Sequence, residues 1–258
     1  MTLSRRQFLK SAALGAGAVG VGALGTGAPV TAGGPDYSIQ GIDVASYQGY
    51  PDWTQVKNSG RTFAFTKATE GTTYTNPYFA ANWGAIAAAG LIRGAYHFGR
   101  PGGDPVAQAN RFCDVVQPGW GDLQMTLDIE VTDGKTPSQV RAWIVAFINQ
   151  VQGRTGRPGI IYTGFYFWRD SAGNGSNLNC PLWLAAYVSN PAPYVPAAWS
   201  TWSFWQYTSS GSVPGVSGNV DLDAWNGTFA LLNRLRLGPR SIGPPDVITL
   251  PPPVPPSP

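Results

Sequence analysis

In Leu127-Asp128-Ile129-Glu130-Val131, apolar and acidic residues alternate strictly. Side chains along a β-strand alternate between its faces at about 3.3 Å per residue, so Asp128 and Glu130 point the same way, about 6.5 Å apart. Leu127, Ile129 and Val131 take the opposite face. Two carboxylates withdrawn from water together are costly, and one of them is expected to keep its proton above the ordinary value of about 4.3 for Glu. A protonated carboxyl beside an ionised one is the arrangement that general acid catalysis uses. The chain has only two glutamates, Glu70 and Glu130. Glu70 lies in the turn-like stretch Ala68-Thr69-Glu70-Gly71-Thr72-Thr73, where a solvated or hydrogen-bonding role is expected, and Glu130 is the expected proton donor.

Other chemistries are excluded by what is scarce. One histidine, His97, and two cysteines, Cys113 and Cys180, cannot supply a His- or Cys-rich zinc site, so no metal and no cofactor is expected. A Ser-His-Asp reading through Ser46 and His97 lacks the Gly-x-Ser-x-Gly elbow, and His97 reads instead as a hydrogen-bonded wall residue. Cys113 and Cys180 are compatible either with a disulfide or with two buried thiols.

A constellation of this kind needs a scaffold that brings distant strand ends together. Runs rich in β-branched and aromatic residues alternate with helical patterns from residue 39 to about 235, the signature of parallel strands joined by helices. Eight strands are predicted: Ile39–Val44, Phe63–Lys67, Ile92–Phe98, Gln124–Glu130, Gly159–Tyr162, Leu182–Tyr187, Ser203–Tyr207 and Val220–Leu222. Helices are predicted over Asn76–Ala89, Asp104–Val116 and Ser138–Gln152, the last with a stripe of Val140, Trp143, Ile144, Phe147, Ile148 and Val151. Later gaps are short and rich in Gly, Ser and Pro. The expected fold is α/β, a single TIM-like barrel with fewer helices than strands.

Such barrels carry their sites beyond the carboxyl ends of the strands. Those ends hold Asp43, Lys67 with Glu70, Tyr96 with His97, Asp128 with Glu130, Tyr162, Trp183, Tyr187, Trp205 with Gln206, and Asp221. On closure the last strand meets the first, making Asp43 and Asp221 neighbours, so four carboxyls converge. Asp223 either shares that mouth or bonds a loop. Acidic clusters with aromatic rims often cleave glycosidic bonds. Ten tryptophans and eleven tyrosines offer flat faces for sugar rings, and although most are expected in the core, Trp183 and Trp205 are candidate platforms or packing residues.

The net charge of +3 belongs to the first ten residues, which hold Arg5, Arg6 and Lys10 and no acid; the remainder carries as many acidic as basic groups, so no nucleic-acid surface is expected. Ser4-Arg5-Arg6-Gln7-Phe8-Leu9-Lys10, the Gly- and Ala-rich apolar stretch after it and the small residues from Ala28 to Ala32 read as a twin-arginine export signal over residues 1–32. A membrane anchor would need a longer apolar span. The mature protein is expected to begin near Gly33, outside the cytoplasm and off the membrane. Residues 239–258 contain nine prolines and read as a disordered or polyproline tail, or a ligand for a partner.

Seven motifs, in order, resemble glycoside hydrolase family 25, the Chalaropsis-type lysozymes. They are Gly41-Ile42-Asp43-Val44-Ala45-Ser46-Tyr47-Gln48-Gly49, Phe65-Thr66-Lys67-Ala68-Thr69-Glu70-Gly71, Gly94-Ala95-Tyr96-His97-Phe98, Leu127-Asp128-Ile129-Glu130, Ile161-Tyr162-Thr163, Leu182-Trp183-Leu184-Ala185, and Trp205-Gln206-Tyr207 followed by Val220-Asp221. The resemblance covers residues 39 to 232. It implies a flattened TIM-like barrel of eight strands and about five helices, a monomer acting on peptidoglycan glycan strands. It also implies hydrolysis of the β-1,4 bond between N-acetylmuramic acid and N-acetylglucosamine. By the same resemblance Glu130 donates the proton, Asp128 orients or stabilises a substrate acetamido group acting as internal nucleophile, and Asp43 and Asp221 tune the charge. Tyr96, Tyr162, Trp183 and Gln206 would line the sugar site, with Tyr187 and Lys67 beside them. Two other readings stand next to this one: a glycan-binding protein using the same groove without cleavage, and a chitin-directed hydrolase.

Overall fold

The computed structural model describes residues 37–238. The expected export signal and Pro-rich tail lie outside the described residues. Nine strands form: β1 (Gln40–Val44), β2 (Phe63–Glu70), β3 (Tyr74–Thr75), β4 (Ile92–Phe98), β5 (Thr126–Asp128), β6 (Ile160–Gly164), β7 (Leu182–Ala185), β8 (Phe204–Gly211) and β9 (Val220–Trp225). Eight of them close a barrel in the order β1, β2, β4, β5, β6, β7, β8, β9 and back to β1, while β3 pairs only with β2. Five α-helices accompany them among the described residues: α1 (Trp53–Asn58), α2 (Phe79–Ala88), α3 (Pro105–Val116), α4 (Pro137–Thr155) and α5 (Phe229–Arg234). A single turn of π-helix, Phe167–Ser171, and a 3₁₀ turn, Ala192–Tyr194, stand where the later gaps are too short for full helices.

Among the eight barrel strands one departs from the parallel arrangement, as does β3 outside the barrel, which runs antiparallel to β2. β1, β2 and β4 to β8 run parallel, but β9 is antiparallel to both β8 and β1. The connection from Gly211 to Val220 is too short for a parallel crossover, which takes a dozen or more residues. The start of β9, with Asp221, therefore lies at the same end of the barrel as the carboxyl ends of the other strands. β5 is also shorter than the predicted Gln124–Glu130. Its ladder stops where Phe98 pairs with Asp128, and Glu130 lies just past it.

Local signals explain the helices that flank the site. Asp104 caps α3 by accepting from the Ala107 amide at 2.7 Å, ahead of Pro105 in the first turn. Thr136 and Gln139 form a reciprocal capping box on α4, which ends on Gly156 at φ 77°. The α4 stripe packs as predicted, with Trp143 stacked on Phe147.

Strand alternation splits the apolar residues into two layers. Leu127, Ile129, Ile161, Leu182 and Leu184 face outward against Phe112, Ile144, Phe147 and Ile148. Phe63, Phe65, Tyr96, Tyr162, Trp183, Phe204 and Trp225 fill the barrel itself. Room for these rings comes from Gly41 and Gly94, where a Cβ would stand 2.4 Å from the Phe63 ring and 2.3 Å from the Phe65 ring. Both cysteines are buried and free, and burial raises the Cys113 thiol to about 11, so the disulfide alternative is not realised. Among the described residues no helix is long and apolar enough to cross a membrane.

Candidate active site

The inward parity of β1, β5 and β9 turns Asp43, Asp128 and Asp221 toward one end of the barrel, and Glu130 follows two residues after the end of β5. Asp128 and Asp43 are fully buried, and Glu130 retains 9% of its surface. Asp43 and Asp221 are direct partners across the β1–β9 pair, where opposed side chains share one face with Cβ atoms about 4.5–5.5 Å apart. Three acidic residues on three separate strands, with Glu130 just past one of them, thus lie at the same end of the barrel.

A buried amide ties several of the expected residues together. Gln206 Nε2 donates to Asp43 Oδ2 at 2.5 Å, and Gln206 Oε1 accepts from the hydroxyls of Tyr162 and Tyr187, each at 2.8 Å. Tyr162 is in turn the β6 partner of Asp128. Asp43, Gln206, Tyr162 and Tyr187 are thereby held in one network spanning β1, β6 and β8, with Asp128 beside Tyr162 in the β5–β6 ladder.

Below that network lies a closed aromatic floor. Trp183 stacks on Phe65 with centroids 4.3 Å apart and meets Tyr162 edge-on at 4.8 Å and Tyr96 at 6.2 Å. Its indole N–H donates to Asp223 Oδ1 at 2.8 Å. Asp223 thus belongs to the barrel interior and not to a loop. Trp183 and Tyr96 are buried, so they support the site from beneath. As an open sugar platform Trp183 is corrected, because both its faces and its edge are occupied by barrel side chains. Trp205 lies on the outer layer with its N–H on the Ala186 carbonyl at 2.6 Å, and is packing.

Lys67 reaches the rim between β2 and β4. Its ammonium meets Glu70 Oε2 at 2.6 Å and lies 4.9 Å from the Phe98 ring centre. Arg100 bridges Glu70 and Asp133, at 3.4 and 2.7 Å, extending this charged rim to the loop after β5. Glu70 is accordingly part of an ion-pair network and not of the acidic pocket.

His97 points away from the barrel interior. Its ring nitrogens meet Thr69 Oγ1 at 2.8 Å and Gln108 Oε1 at 3.0 Å, and the ring stacks on Phe147. Burial pushes its pKa down to about 4. With both nitrogens engaged there, no Ser-His-Asp relay exists.

Of the exposed aromatics that follow the strand ends, Tyr187 is among the expected site residues, whereas Tyr47, Tyr50 and Tyr166 are not. Tyr47 and Tyr50 follow β1, Tyr166 follows β6 and Tyr187 follows β7, with 79%, 71%, 52% and 38% of their surfaces open. Their signal was position alone: each lies within a few residues of a strand's carboxyl end. Such rings present flat apolar faces with a polar tip, the chemistry of carbohydrate stacking.

Residues 42–216 match the family model described as Glycosyl hydrolases family 25. The chain is 42% identical over 216 residues to Lysozyme M1 of Streptomyces globisporus, covering 78% of this chain and 73% of that protein. It is 33% identical to an N,O-diacetylmuramidase of Chalaropsis sp, covering 71% of this chain and 96% of that one. The crystal structure of the bacterial lysozyme from Streptomyces coelicolor superposes with a TM-score of 0.74 at 39% identity, over 78% of this chain and 98% of that one. The muramidase from Trichobolus zukalii gives 0.71 at 35% identity, over 78% and 100%.

Proposed function

The chain belongs to glycosyl hydrolases family 25, and from that premise we propose that it is a secreted muramidase that cuts peptidoglycan between N-acetylmuramic acid and N-acetylglucosamine, with Glu130 as its general acid. What supports this reading is the pairing of Asp43 with Asp221 at the barrel end where Asp128 closes β5 and Glu130 follows it, with open tyrosines after the neighbouring strands.

In the proposed reaction the Glu130 proton passes to the glycosidic oxygen as the bond to the muramic acid anomeric carbon breaks. The carbonyl oxygen of that sugar's own 2-acetamido group closes on the anomeric carbon, and Asp128 holds the amide N–H as the group gains positive charge. Water then opens the ring intermediate, giving its proton to Glu130 and restoring the starting state. Asp43, fixed by Gln206, and Asp221 set the field around these steps. The tyrosine rim holds the glycan strand, and one copy of the chain supplies the whole site. The leader of residues 1–32, with Arg5 and Arg6, sends the protein out by the twin-arginine route to the wall it acts on.

Glu130→Gln keeps the shape and removes the transferable proton. Release of reducing sugar from peptidoglycan should fall by about 10² to 10⁴ with sedimentation on walls unchanged. A wild-type protein that binds walls and releases no reducing sugar would be a glycan-binding protein using the same groove.

A further inference from the structure

The segment that carries Glu130 has no ladder of its own beyond Asp128, yet a proton donor must be held within a few tenths of an ångström. On the β6 side, the Ile129 amide donates to the Tyr162 carbonyl at 3.0 Å and Thr163 Oγ1 to the Ile129 carbonyl at 3.1 Å. On the β4 side the support comes from the loop Gly99-Arg100-Pro101-Gly102-Gly103. The Gly99 amide donates to the Asp128 carbonyl at 2.8 Å. Arg100 Nη2 meets Asp133 Oδ1 at 2.7 Å, and the Gly102 amide donates to Asp133 Oδ2 at 3.1 Å. Asp133 stands at φ 48° and Gly134 at φ 78°, a sharp left-handed turn that sends the chain back toward α4.

That loop is itself gripped from behind the barrel wall. Gln108, fully buried on α3, accepts from the Arg100 amide through Oε1 at 3.0 Å and donates through Nε2 to the Arg100 carbonyl at 2.8 Å. This two-point grip fixes the orientation of the Gln108 amide. His97 Nε2 must then be the donor to the same Oε1, and His97 Nδ1 the acceptor of the Thr69 hydroxyl. Trp143 closes the far end, its indole N–H on the Gly103 carbonyl at 2.7 Å. The glycines are there for space: a Cβ on Gly103 would stand 2.9 Å from Gln108 Nε2, and one on Gly102 would stand 3.2 Å from the Asp133 Cβ.

We propose that Gln108 is a positioning residue for Glu130: it clamps Arg100 by both backbone atoms, and Arg100 holds Asp133, the anchor of the segment on which Glu130 is carried. His97 and Thr69 back the clamp from below, the ring donating to Gln108 Oε1 and accepting from the Thr69 hydroxyl. Gln108 touches no substrate and lies outside the acidic mouth. This inference rests on the reading of Glu130 as proton donor.

Gln108→Met keeps the volume and loses every hydrogen bond of the clamp. Turnover on soluble peptidoglycan strands should fall by roughly ten- to a hundredfold with KM within about twofold, since displacements near 1 Å cost rates of that order. Asp133→Asn weakens the anchor without disturbing its left-handed backbone, and Gln108 and Asp133 do not bond each other. Both act through the shared Arg100, in series, so in the double variant the losses should not multiply, the double being no slower than the worse single. Arg100→Ala, at a side chain one-third exposed, folds readily and should show the same kcat loss if Gln108→Met does not fold. Full turnover in folded Gln108→Met or in Arg100→Ala, or losses that multiply, would overturn the clamp. Amide exchange on the same proteins decides independently of activity: Gly99 and Gly102 should exchange faster in Gln108→Met or Arg100→Ala while β8 stays protected, and unchanged protection would overturn it. Failure of the wild type to cut peptidoglycan would count against the muramidase reading alone.

Discussion

Gln206 shows how much a single side chain decides at this site. Its one amide satisfies Asp43 and two tyrosine hydroxyls that arrive from different strands. In the proposed reaction Asp43 is held by Gln206 while Asp128 takes the substrate acetamido group. Participation by that group displaces the leaving oxygen from one face, and water then displaces the acetamido oxygen from the other, so two inversions keep the configuration at the anomeric carbon. An NMR time course of cleavage should show the β anomer of the new reducing end first; initial appearance of the α anomer would rule out acetamido participation. The acidic residues were legible in the sequence because alternation in Leu127 to Val131 assigns faces without knowledge of neighbours. Gln206 was legible as a strand-end residue only, since its partners depend on the register of three other strands. Gln108 left no signal, being one polar residue on a helix whose face is set by packing. Trp183 misled for the opposite reason: a strand-end tryptophan suggests a platform, but it is fully buried, facing the barrel interior and stacked on Phe65.

At the scale of elements, β4 and its contacts link the outer core to the site. His97 is neutral in the fold, with its pKa pushed down to about 4 by burial, against about 6.5 in the unfolded chain. Between those values the unfolded chain binds the extra proton, so stability from this group is complete above about pH 6.5 and declines as pH falls toward 4. The loss is on the order of 3 kcal/mol at about 1.4 kcal/mol per unit. Denaturant unfolding at pH 7 and pH 4 should show that component in the wild type and not in His97→Gln. An equal pH slope in both proteins would place the acid sensitivity elsewhere, in the carboxylates. The early helices were readable because α3 and α4 each open on a cap and carry a 3.6-residue apolar stripe. The reversal of β9 was not, since direction is a matter of connection length and closure, and the composition of Val220 to Trp225 suits either sense.

For the whole molecule, the closed order of strands is what converts dispersed acids into a site. Closure brought Asp43 and Asp221 into register as expected, through an antiparallel pair instead of a parallel one. The proposed export route makes its own prediction: changing Arg5 and Arg6 to lysine should leave the protein in the cytoplasm of its producer on fractionation, and unchanged export would contradict a twin-arginine signal. The central claim is that this barrel mouth cuts the glycan on the muramic acid side. Mass spectrometry of peptidoglycan digested by the wild type tests it most directly, with Glu130→Gln alongside. Soluble fragments ending in reducing N-acetylmuramic acid, missing from the Glu130→Gln digest, are the result predicted here. Fragments ending in reducing N-acetylglucosamine, or equal release by both proteins, would contradict it.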